Sequence, residues 1–415
     1  MKKLGRNIGY MTLSQAANYV LPLVTLPYIT RIIGPENYGL VEFATVTILF
    51  LSAIVTYGFT FTGTRKVAEL KDNFPRISKV FSTLIQAKLY LLLIASIIFG
   101  LLLLGIPQYR IEWHLMLFAF PYVIGWGLYP DFLFQGRQDL GIIAMVTTAI
   151  KVLGAVLIFA LIHEESDYFL VVGINGITQI VAALITMLYI PRKYPWLKFS
   201  WQSNRLIKAY LKSGFFIFLS HFFTRLFTFG SILFIGFLLP QKELGLFAAA
   251  LKLITVGQSF LFTPLGNSLY PYLASKAKNE FGLYLKERKR FLFYLLGISS
   301  LATIMIIAAK EFWVKLLFGE DYLQAAPALA IMAPAMLLTT LSHFSMKQGL
   351  MVLKADGLNL RVFLIVGTSS LFLNYFLIEF YGFIGAAWAK LALEFLLAAL
   401  GMFYFYKVSN RMLKA

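Results

Sequence analysis

The chain of 415 residues contains no cysteine and little charge, since Asp, Glu, Lys and Arg make up only 13% of it. The missing cysteine excludes disulfides, thiolate metal sites and a cysteine nucleophile. A soluble protein carries roughly 25% charged residues, so this chain cannot cover a water-exposed surface of ordinary polarity. Histidine is also scarce and scattered, at positions 114, 163, 221 and 343. Neither a metal-binding pair nor a glycine-rich phosphate loop appears, so the sequence predicts no catalytic residue, metal or cofactor.

What the chain has instead is apolar sequence, at 59% hydrophobic residues and a mean hydropathy of +0.76. The apolar residues form continuous runs of about 20, the length of a helix that crosses a bilayer. We therefore predict an all-α polytopic membrane protein with about twelve spans. The predicted spans are 8–30, 38–60, 80–104, 114–135, 142–162, 168–190, 213–238, 245–271, 291–309, 325–346, 360–378 and 383–406.

The net charge of +18 follows the predicted topology. Most Lys and Arg residues fall in the loops on the side of the N-terminus, and the loops on the other side carry only Arg31, Arg110, Lys242, Lys310 and Lys315. This asymmetry predicts that both termini are cytoplasmic. The basic residues are divided among short loops and form no single patch, which argues against nucleic acid as a partner and leaves membrane lipid.

A weak internal repeat relates the two halves of the chain at an offset of about 206 residues. Pro35 aligns with Pro240, and Pro121 aligns with Pro327. Six predicted spans precede a basic linker and six follow it, so the two halves have the same orientation. This predicts an N-terminal lobe over 1–195 and a C-terminal lobe over 205–415, with a cavity between two parallel repeats, as in many transporters.

Cationic side chains inside predicted spans are costly and usually face a cavity or a partner. Arg225 and His221 lie one helical turn apart on span seven. Lys252 lies on span eight and Lys151 in the middle of span five. We predict that these four residues line a cavity for an anionic ligand, and the alternative for Arg225 is an intramembrane pair with an acid.

Two other lysines suggest structural roles. Lys88 lies nearer a span end and is expected to extend its amine to the membrane surface. Lys390 and Glu394 are four residues apart, so they are expected to pair within span twelve.

Two acidic residues in the spans are candidates for a coupling ion. Glu42 lies early in span two, and Asp131 lies late in span four. A partly buried carboxyl group can bind a proton or sodium ion. Pairing with Arg31 or Arg137 is an equally good interpretation.

Span one carries two prolines, Pro22 and Pro27, together with the polar residues Gln15 and Asn18. Each proline removes a backbone hydrogen bond, so the helix should bend or break there. Gln15 and Asn18 are predicted to face the substrate path with the prolines as a hinge, and a kink that serves only packing is an equal alternative.

Several segments resemble a known family, the Wzx-type O-antigen flippases of the multidrug/oligosaccharidyl-lipid/polysaccharide exporter superfamily. The resemblance is carried by Asn7-Ile8-Gly9-Tyr10, Pro27 to Gly39 (PYITRIIGPENYG), Gly63-Thr64-Arg65-Lys66, Tyr129 to Gly136 (YPDFLFQG) and Tyr270-Pro271. It extends over essentially the whole chain, and the opening motif is its most specific part.

The resemblance implies a transporter of the bacterial inner membrane. Such proteins move undecaprenyl-pyrophosphate-linked oligosaccharide between leaflets by alternating access, in lipopolysaccharide and related polysaccharide biosynthesis. It also implies coupling to H⁺ or Na⁺ and other polysaccharide-assembly membrane proteins as partners. A cation-coupled multidrug exporter of the same superfamily is the first alternative. A membrane-embedded glycan polymerase or ligase is the second, and it is disfavoured because the predicted loops are too short to hold a catalytic domain.

Overall fold

The computed structural model of the protein is built from helices, with no strand over residues 2–414. It describes the backbone of residues 2–414 and the side chains of residues 20–262 and 269–413. Within a bilayer only helices and closed barrels satisfy every backbone polar group, so the helical architecture follows from the apolar composition. The prediction of an all-α polytopic membrane protein is confirmed.

The chain divides into two units, residues 1–222 and 223–415. The helices of the N-terminal unit are α1 (Lys2–Thr56), α2 (Phe59–Leu70), α3 (Phe74–Gly105), α4 (Pro107–Ile111), α5 (Trp113–Ala119), α6 (Pro121–Leu128), α7 (Asp131–Gly136), α8 (Leu140–Leu161) and α9 (Tyr168–Lys193), with a 3₁₀ turn at Glu165–Asp167. The division falls inside α10 (Asn204–Leu238), whose first half belongs to this unit.

The C-terminal unit continues from α10 with both long and short helices. Its helices are α11 (Gln241–Asn279), α12 (Phe281–Ala308), α13 (Lys310–Leu317), α14 (Ala326–Met332), α15 (Ala335–Ser345) and α16 (Asp356–Lys414). A 3₁₀ turn spans Glu320–Ala325, and a π-helical segment spans Met346–Met351. Its core includes Leu273, Tyr284, Phe344 and Leu393.

The sequence marks where several helices begin and break. The Asn73 side chain accepts a hydrogen bond from the Arg76 amide at 3.3 Å, which caps the start of α3. Within α1 the backbone leaves the helical region only at Gly34, where φ is 71°. A residue with a side chain rarely adopts that φ, so glycine permits the break before Pro35. Pro240, which the repeat aligns with Pro35, likewise precedes a new helix, α11.

Nine helices within the described residues are long and apolar enough to cross a membrane. A tenth is formed if Glu320–Met332 and Ala335–Met351, bent by 45°, make one broken span. Two of the nine contain a glycine break, at Gly34 and at Gly382. These breaks coincide with the predicted turns between spans one and two and between spans eleven and twelve, and the count of twelve stays a prediction.

The division between the two units lies inside α10, after the predicted basic linker of residues 191–212. Ile207, early in α10, is buried in the same core cluster as Phe81, Phe132 and Ile190. The first turns of α10 therefore pack with the N-terminal unit, because they carry apolar residues on one side. The predicted lobe limits of 1–195 and 205–415 remain a prediction.

Candidate functional site

The N-terminal unit encloses a cavity of about 470 Å³ between α1, α6, α8 and α9. Three aromatic side chains line it, those of Tyr122, Trp126 and Tyr129. Polar side chains reach it from α1, α8 and α9. Most of the remaining lining is aliphatic, so the cavity combines an apolar wall with a few polar groups, as ligand sites commonly do.

Lys151 carries the only charge among the described residues that line this cavity. It lies in the middle of α8 and stays exposed. No carboxylate within the described part of the chain forms an ion pair with it. An unpaired ammonium group at this depth of a membrane helix marks a place where an anion can bind.

Asn175 and Gln179 bring two amide side chains to the cavity from α9. They are four residues apart, so they share one face of the helix. Close packing sets their position, because a Cβ on Gly125 of α6 would lie only 2.7 Å from the Gln179 carbonyl carbon. Neither amide was predicted from the sequence to line the site. Their spacing of four residues on span six indicates a shared polar face, but the sequence does not show whether that face lines a cavity.

The threonines of the cavity contribute less polarity than their number suggests. Thr25, Thr147 and Thr178 donate their hydroxyls to carbonyls of their own helices, at 3.1, 2.7 and 2.7 Å. The Tyr129 hydroxyl differs, since it is buried and has no hydrogen-bond partner among the described residues. The groups left to bind a ligand therefore include the Lys151 amine and the two amides, whereas the phenol is buried within the wall.

Directly behind the cavity wall lies a buried ion pair between α3 and α7. The Lys88 amine is 3.9 Å from Asp131 Oδ1, and both side chains are at most 5% exposed. Lys88 also donates to the carbonyls of Tyr129 and Trp126, at 2.7 and 3.1 Å. The Thr60 hydroxyl donates to Asp131 Oδ2 at 2.7 Å. The expectation that Lys88 extends to the membrane surface is wrong, because these acceptors hold its amine inside.

The two carbonyls lack their usual helical donors at the break around Pro130. In a continuous helix the Trp126 carbonyl would accept from the amide of residue 130, which proline lacks. The amide of Leu133 bonds the Pro130 carbonyl at 3.1 Å, so it is not directed to the Tyr129 carbonyl. A lysine amine has three donors and can satisfy both carbonyls and face the carboxylate.

The two candidates for a coupling ion have different surroundings. Asp131 is 4% exposed and faces Lys88 rather than Arg137, which pairs with Asp72 at 3.3 Å. Glu42 is half-buried and accepts a hydrogen bond from the Tyr38 hydroxyl at 2.9 Å. Binding of a coupling ion by either residue stays a prediction.

The predicted hinge residues lie within unbroken helix. Pro22 lines the cavity, and the backbone of α1 stays helical at both Pro22 and Pro27. Thr25 bonds a carbonyl one turn back, a contact that often bends helices. The hinge role stays a prediction. The side chains of Gln15 and Asn18 lie outside the described residues.

The remaining predicted cations are spread over α10 and α11. Arg225 and Lys252 are half-buried and belong to the C-terminal unit. His221 is exposed, belongs to the N-terminal unit and stacks on Phe61 with ring centroids 5.0 Å apart. A single cationic site shared by Arg225, Lys252 and Lys151 stays a prediction.

The predicted pair within span twelve is confirmed. The Lys390 amine lies 3.0 Å from Glu394 Oε1, and each side chain is 4% exposed. The amine also lies 4.2 Å from the centroid of the Phe227 ring. This pair belongs wholly to the C-terminal unit and has no part in the cavity described above.

The fold is that of MOP-superfamily transporters. It aligns with the inward-facing structure of a multidrug resistance MATE family transporter with a TM-score of 0.72 and 13% identity, over 99% of both chains. It aligns with lipid II flippase MurJ with a TM-score of 0.71 and 15% identity, over 98% of this chain and 91% of that one.

Sequence comparison defines the family more closely. The model of the polysaccharide biosynthesis protein family matches residues 4–276, and the chain belongs to this family. It is 27% identical to the "Putative O-antigen transporter" of Escherichia coli K12, over 97% of this chain and 96% of that protein. It is 23% identical to the succinoglycan biosynthesis transport protein ExoT of Rhizobium meliloti, over 80% of this chain and 66% of that protein. These names confirm the resemblance found in the sequence and the expectation of a transporter rather than an enzyme.

Proposed function

We propose that the chain is a flippase for an undecaprenyl-pyrophosphate-linked oligosaccharide, the repeat unit of an O-antigen or a similar surface polysaccharide. It moves this lipid by alternating access from the cytoplasmic to the periplasmic leaflet of the bacterial inner membrane. Relatives named for O-antigen and succinoglycan transport support the glycan cargo. The likeness to a lipid II flippase supports a lipid carrier. The distribution of Lys and Arg supports cytoplasmic termini.

The observation that carries the proposal is the cavity around Lys151. Its one charge is positive, and Lys binds phosphate as a compact point charge. Asn175 and Gln179 offer hydrogen bonds to sugar hydroxyls. Trp126 and Tyr122 offer flat apolar surfaces to the faces of sugar rings. Together these groups suit a ligand that joins phosphate to sugar.

Coupling to a proton or sodium gradient is part of the proposal, with Asp131 and Glu42 as candidates. Asp131 Oδ1 has no hydrogen-bond partner among the described residues and faces Lys88 across 3.9 Å. A proton or Na⁺ on this carboxylate would compete with that lysine. Such a change would act next to Trp126 and Tyr129, which line the cavity.

A cation-coupled multidrug exporter is the second candidate, favoured by the fold likeness to a MATE transporter. A site for cationic drugs would use a carboxylate to bind the charge. No Asp or Glu is found among the described residues that line the cavity. The lining therefore favours an anionic cargo.

The test is transfer of a fluorescent undecaprenyl-pyrophosphate-linked oligosaccharide between the leaflets of proteoliposomes. We expect transfer by the unaltered chain, a loss of about tenfold or more in Lys151→Ala, and substantial activity in Lys151→Arg, which keeps the charge. Lys242→Ala, an exposed lysine outside the cavity, is the matched control. Imposed proton and sodium gradients in the same vesicles test the coupling.

Two outcomes contradict the proposal. Full transfer by Lys151→Ala would remove the cavity from the transport path. Efflux of cationic drugs by the unaltered chain, together with no transfer of the lipid-linked glycan, would support the exporter instead.

A further inference from the structure

The segment between α9 and α10 is bound to α3 by a ladder of hydrogen bonds. Polar side chains at every fourth residue of α3 bond the backbone at every second residue of the segment. The bonds are Lys198 N to Ser78 Oγ (3.4 Å), Ser82 Oγ to Lys198 O (3.4 Å), Ser200 N to Ser82 Oγ (3.1 Å), Gln86 Nε2 to Ser200 O (2.9 Å) and Gln202 N to Gln86 Oε1 (3.0 Å).

The spacing explains why this ladder fits. Four residues of helix rise about 6 Å, and two residues of extended chain span about 6.6 Å. The three side chains on α3 therefore stay in step with the extended backbone over its whole length. Because Ser82 and Gln86 are buried under it, the segment is a fixed part of the N-terminal unit rather than a loose connection.

Side-chain packing fixes the segment before the ladder as well. The Trp196 ring stacks on Phe74 with centroids 4.5 Å apart. The Tyr194 hydroxyl donates to Asp139 Oδ2 at 2.6 Å. Ile207, on the far side of the ladder, is 4% exposed. The backbone between these anchors is therefore held at both ends.

Two large aromatic side chains on this fixed segment are left outside the core. Phe199 is 48% exposed and Trp201 is 77% exposed, and their rings touch edge to face at 5.7 Å. A rigid backbone that presents such residues to its surroundings is typical of an interaction surface. Tryptophan in particular is enriched where protein meets the membrane–water interface.

A basic stripe continues this surface along α10. Arg205, Lys208 and Lys212 are exposed and share one face of the helix, since they are spaced three and four residues apart. Phe216 follows one turn later on that face and is 65% exposed. The face thus changes from cationic to apolar over one turn, as a helix does where it passes from lipid headgroups into hydrocarbon.

The charge around this surface is of one sign. Residues 191–212 contain six Lys and Arg and no Asp or Glu. Within the described structure none of the six forms an ion pair. The other long basic loop, 272–290, differs because it contains Glu280 and Glu287, and Lys276 lies 3.5 Å from Glu280. Of these two long loops, the segment before span seven is therefore the one with a purely cationic, unpaired surface.

We propose that Phe199, Trp201, Arg205, Lys208 and Lys212, here called the linker face, bind the headgroups of anionic phospholipid in the adjoining leaflet. The three cations pair with lipid phosphates, and the two aromatic rings lie at the level of the glycerol backbone. The cargo plays no part in this binding, so the surface is independent of the flippase proposal. Bound lipid holds the linker and the start of α10 at the membrane surface.

The test measures the affinity of the purified full chain for phosphatidylglycerol and for phosphatidylcholine by native mass spectrometry. The linker variant is Arg205→Gln/Lys208→Gln/Lys212→Gln. The matched control, Lys278→Gln/Lys286→Gln/Lys289→Gln, removes three exposed charges from the other basic loop. We expect the linker variant to lose at least about tenfold in affinity for phosphatidylglycerol and the control to lose little. Affinity for phosphatidylcholine should change in neither.

A second variant, Phe199→Ala/Trp201→Ala, should weaken binding of both lipids, because the rings contact the lipid whatever its charge. All substituted side chains are exposed, so thermal unfolding should be unchanged. Equal losses in the linker variant and the control would mean that net charge alone attracts the lipid, which overturns the proposal. Unchanged phosphatidylglycerol binding with lost undecaprenyl pyrophosphate binding would overturn it too, and would assign the linker face to the cargo.

Discussion

The two units each bury a lysine–carboxylate pair, and the pairs differ in what surrounds them. Lys88 and Asp131 lie on different helices of the N-terminal unit, 3.9 Å apart. Lys390 and Glu394 lie one turn apart on α16, at 3.0 Å. All four side chains are at most 5% exposed. The pair with the shorter contact is therefore the local one, and the longer contact joins distant parts of the chain.

The number of acceptors around each lysine explains the difference. Lys88 donates to two backbone carbonyls that lack their usual helical donor, that of Trp126 because Pro130 has no amide hydrogen and that of Tyr129 because the Leu133 amide bonds the Pro130 carbonyl. Lys390 lies over the Phe227 ring at 4.2 Å and serves one carboxylate oxygen. Lys88 thus completes a broken helix as well as neutralising an acid, whereas Lys390 chiefly neutralises its neighbour. This difference predicts different responses when the charges are removed.

The largest effect is expected from Lys88→Met. It leaves Asp131 buried without a countercharge and two buried carbonyls without a donor, and breaking a buried pair in this way costs about 3–5 kcal/mol. The free energy of unfolding in mixed detergent micelles measures it. Lys79→Met, an exposed lysine on the same helix, should change stability by less than about 0.5 kcal/mol. A loss below about 1 kcal/mol in Lys88→Met would show that water replaces the amine.

A smaller loss is expected when the acid is neutralised together with the lysine. In Lys88→Met/Asp131→Asn no buried charge remains, and the oxygen of the new amide can still accept the Thr60 hydrogen bond. The carbonyls of Trp126 and Tyr129 stay unsatisfied, at about 1–3 kcal/mol each. The double variant should therefore remain at least about 2 kcal/mol less stable than the unaltered chain in the same micelles. Full recovery would mean that the carboxylate, and not Pro130, is the reason for Lys88.

The same comparison separates what the sequence could predict from what it could not. The Lys390–Glu394 pair was predictable because a spacing of four residues brings side chains together within one helix. The break before Pro35 was also predictable from local sequence, because glycine at position 34 permits a left-handed backbone and proline disfavours helix at the residue before it. Lys88 and Asp131 are joined only by the packing of α3 against α7, which no local pattern encodes. Pro130 was a usable signal, since a proline late in a span leaves a carbonyl that some donor must satisfy.

The cavity residues likewise divide into those that local sequence predicts and those that depend on helix packing. Its cation, Lys151, could be proposed from sequence because an unpaired charge inside a span needs an explanation. Asn175 and Gln179 could not be assigned, since an amide on a membrane helix can equally bond a neighbouring helix. Their place at the cavity depends on the approach of α6 to α9 at Gly125, where contact with the Gln179 backbone leaves no room for a side chain. A charged residue such as Lys151 pointed to the cavity because charge is costly in lipid. Amides are tolerated there, so their place at the cavity could be assigned only from the tertiary structure.

The smallest effect is expected from the matched double variant in the C-terminal unit, Lys390→Met/Glu394→Gln. It removes both charges at once, and replacing a buried pair by neutral side chains of similar size is often neutral or stabilising. Lys390 has no carbonyl acceptor among the described residues, so no backbone group comparable to the carbonyls of Trp126 and Tyr129 loses its donor. We expect a change within about 1 kcal/mol. The single variant Lys390→Met, which strands Glu394, should by contrast cost about 3 kcal/mol or more. If the double variant were as unstable as this single one, the pair would stabilise the unit by more than mutual neutralisation of its charges. The difference inferred between the Lys390–Glu394 pair and the Lys88–Asp131 pair would then be wrong.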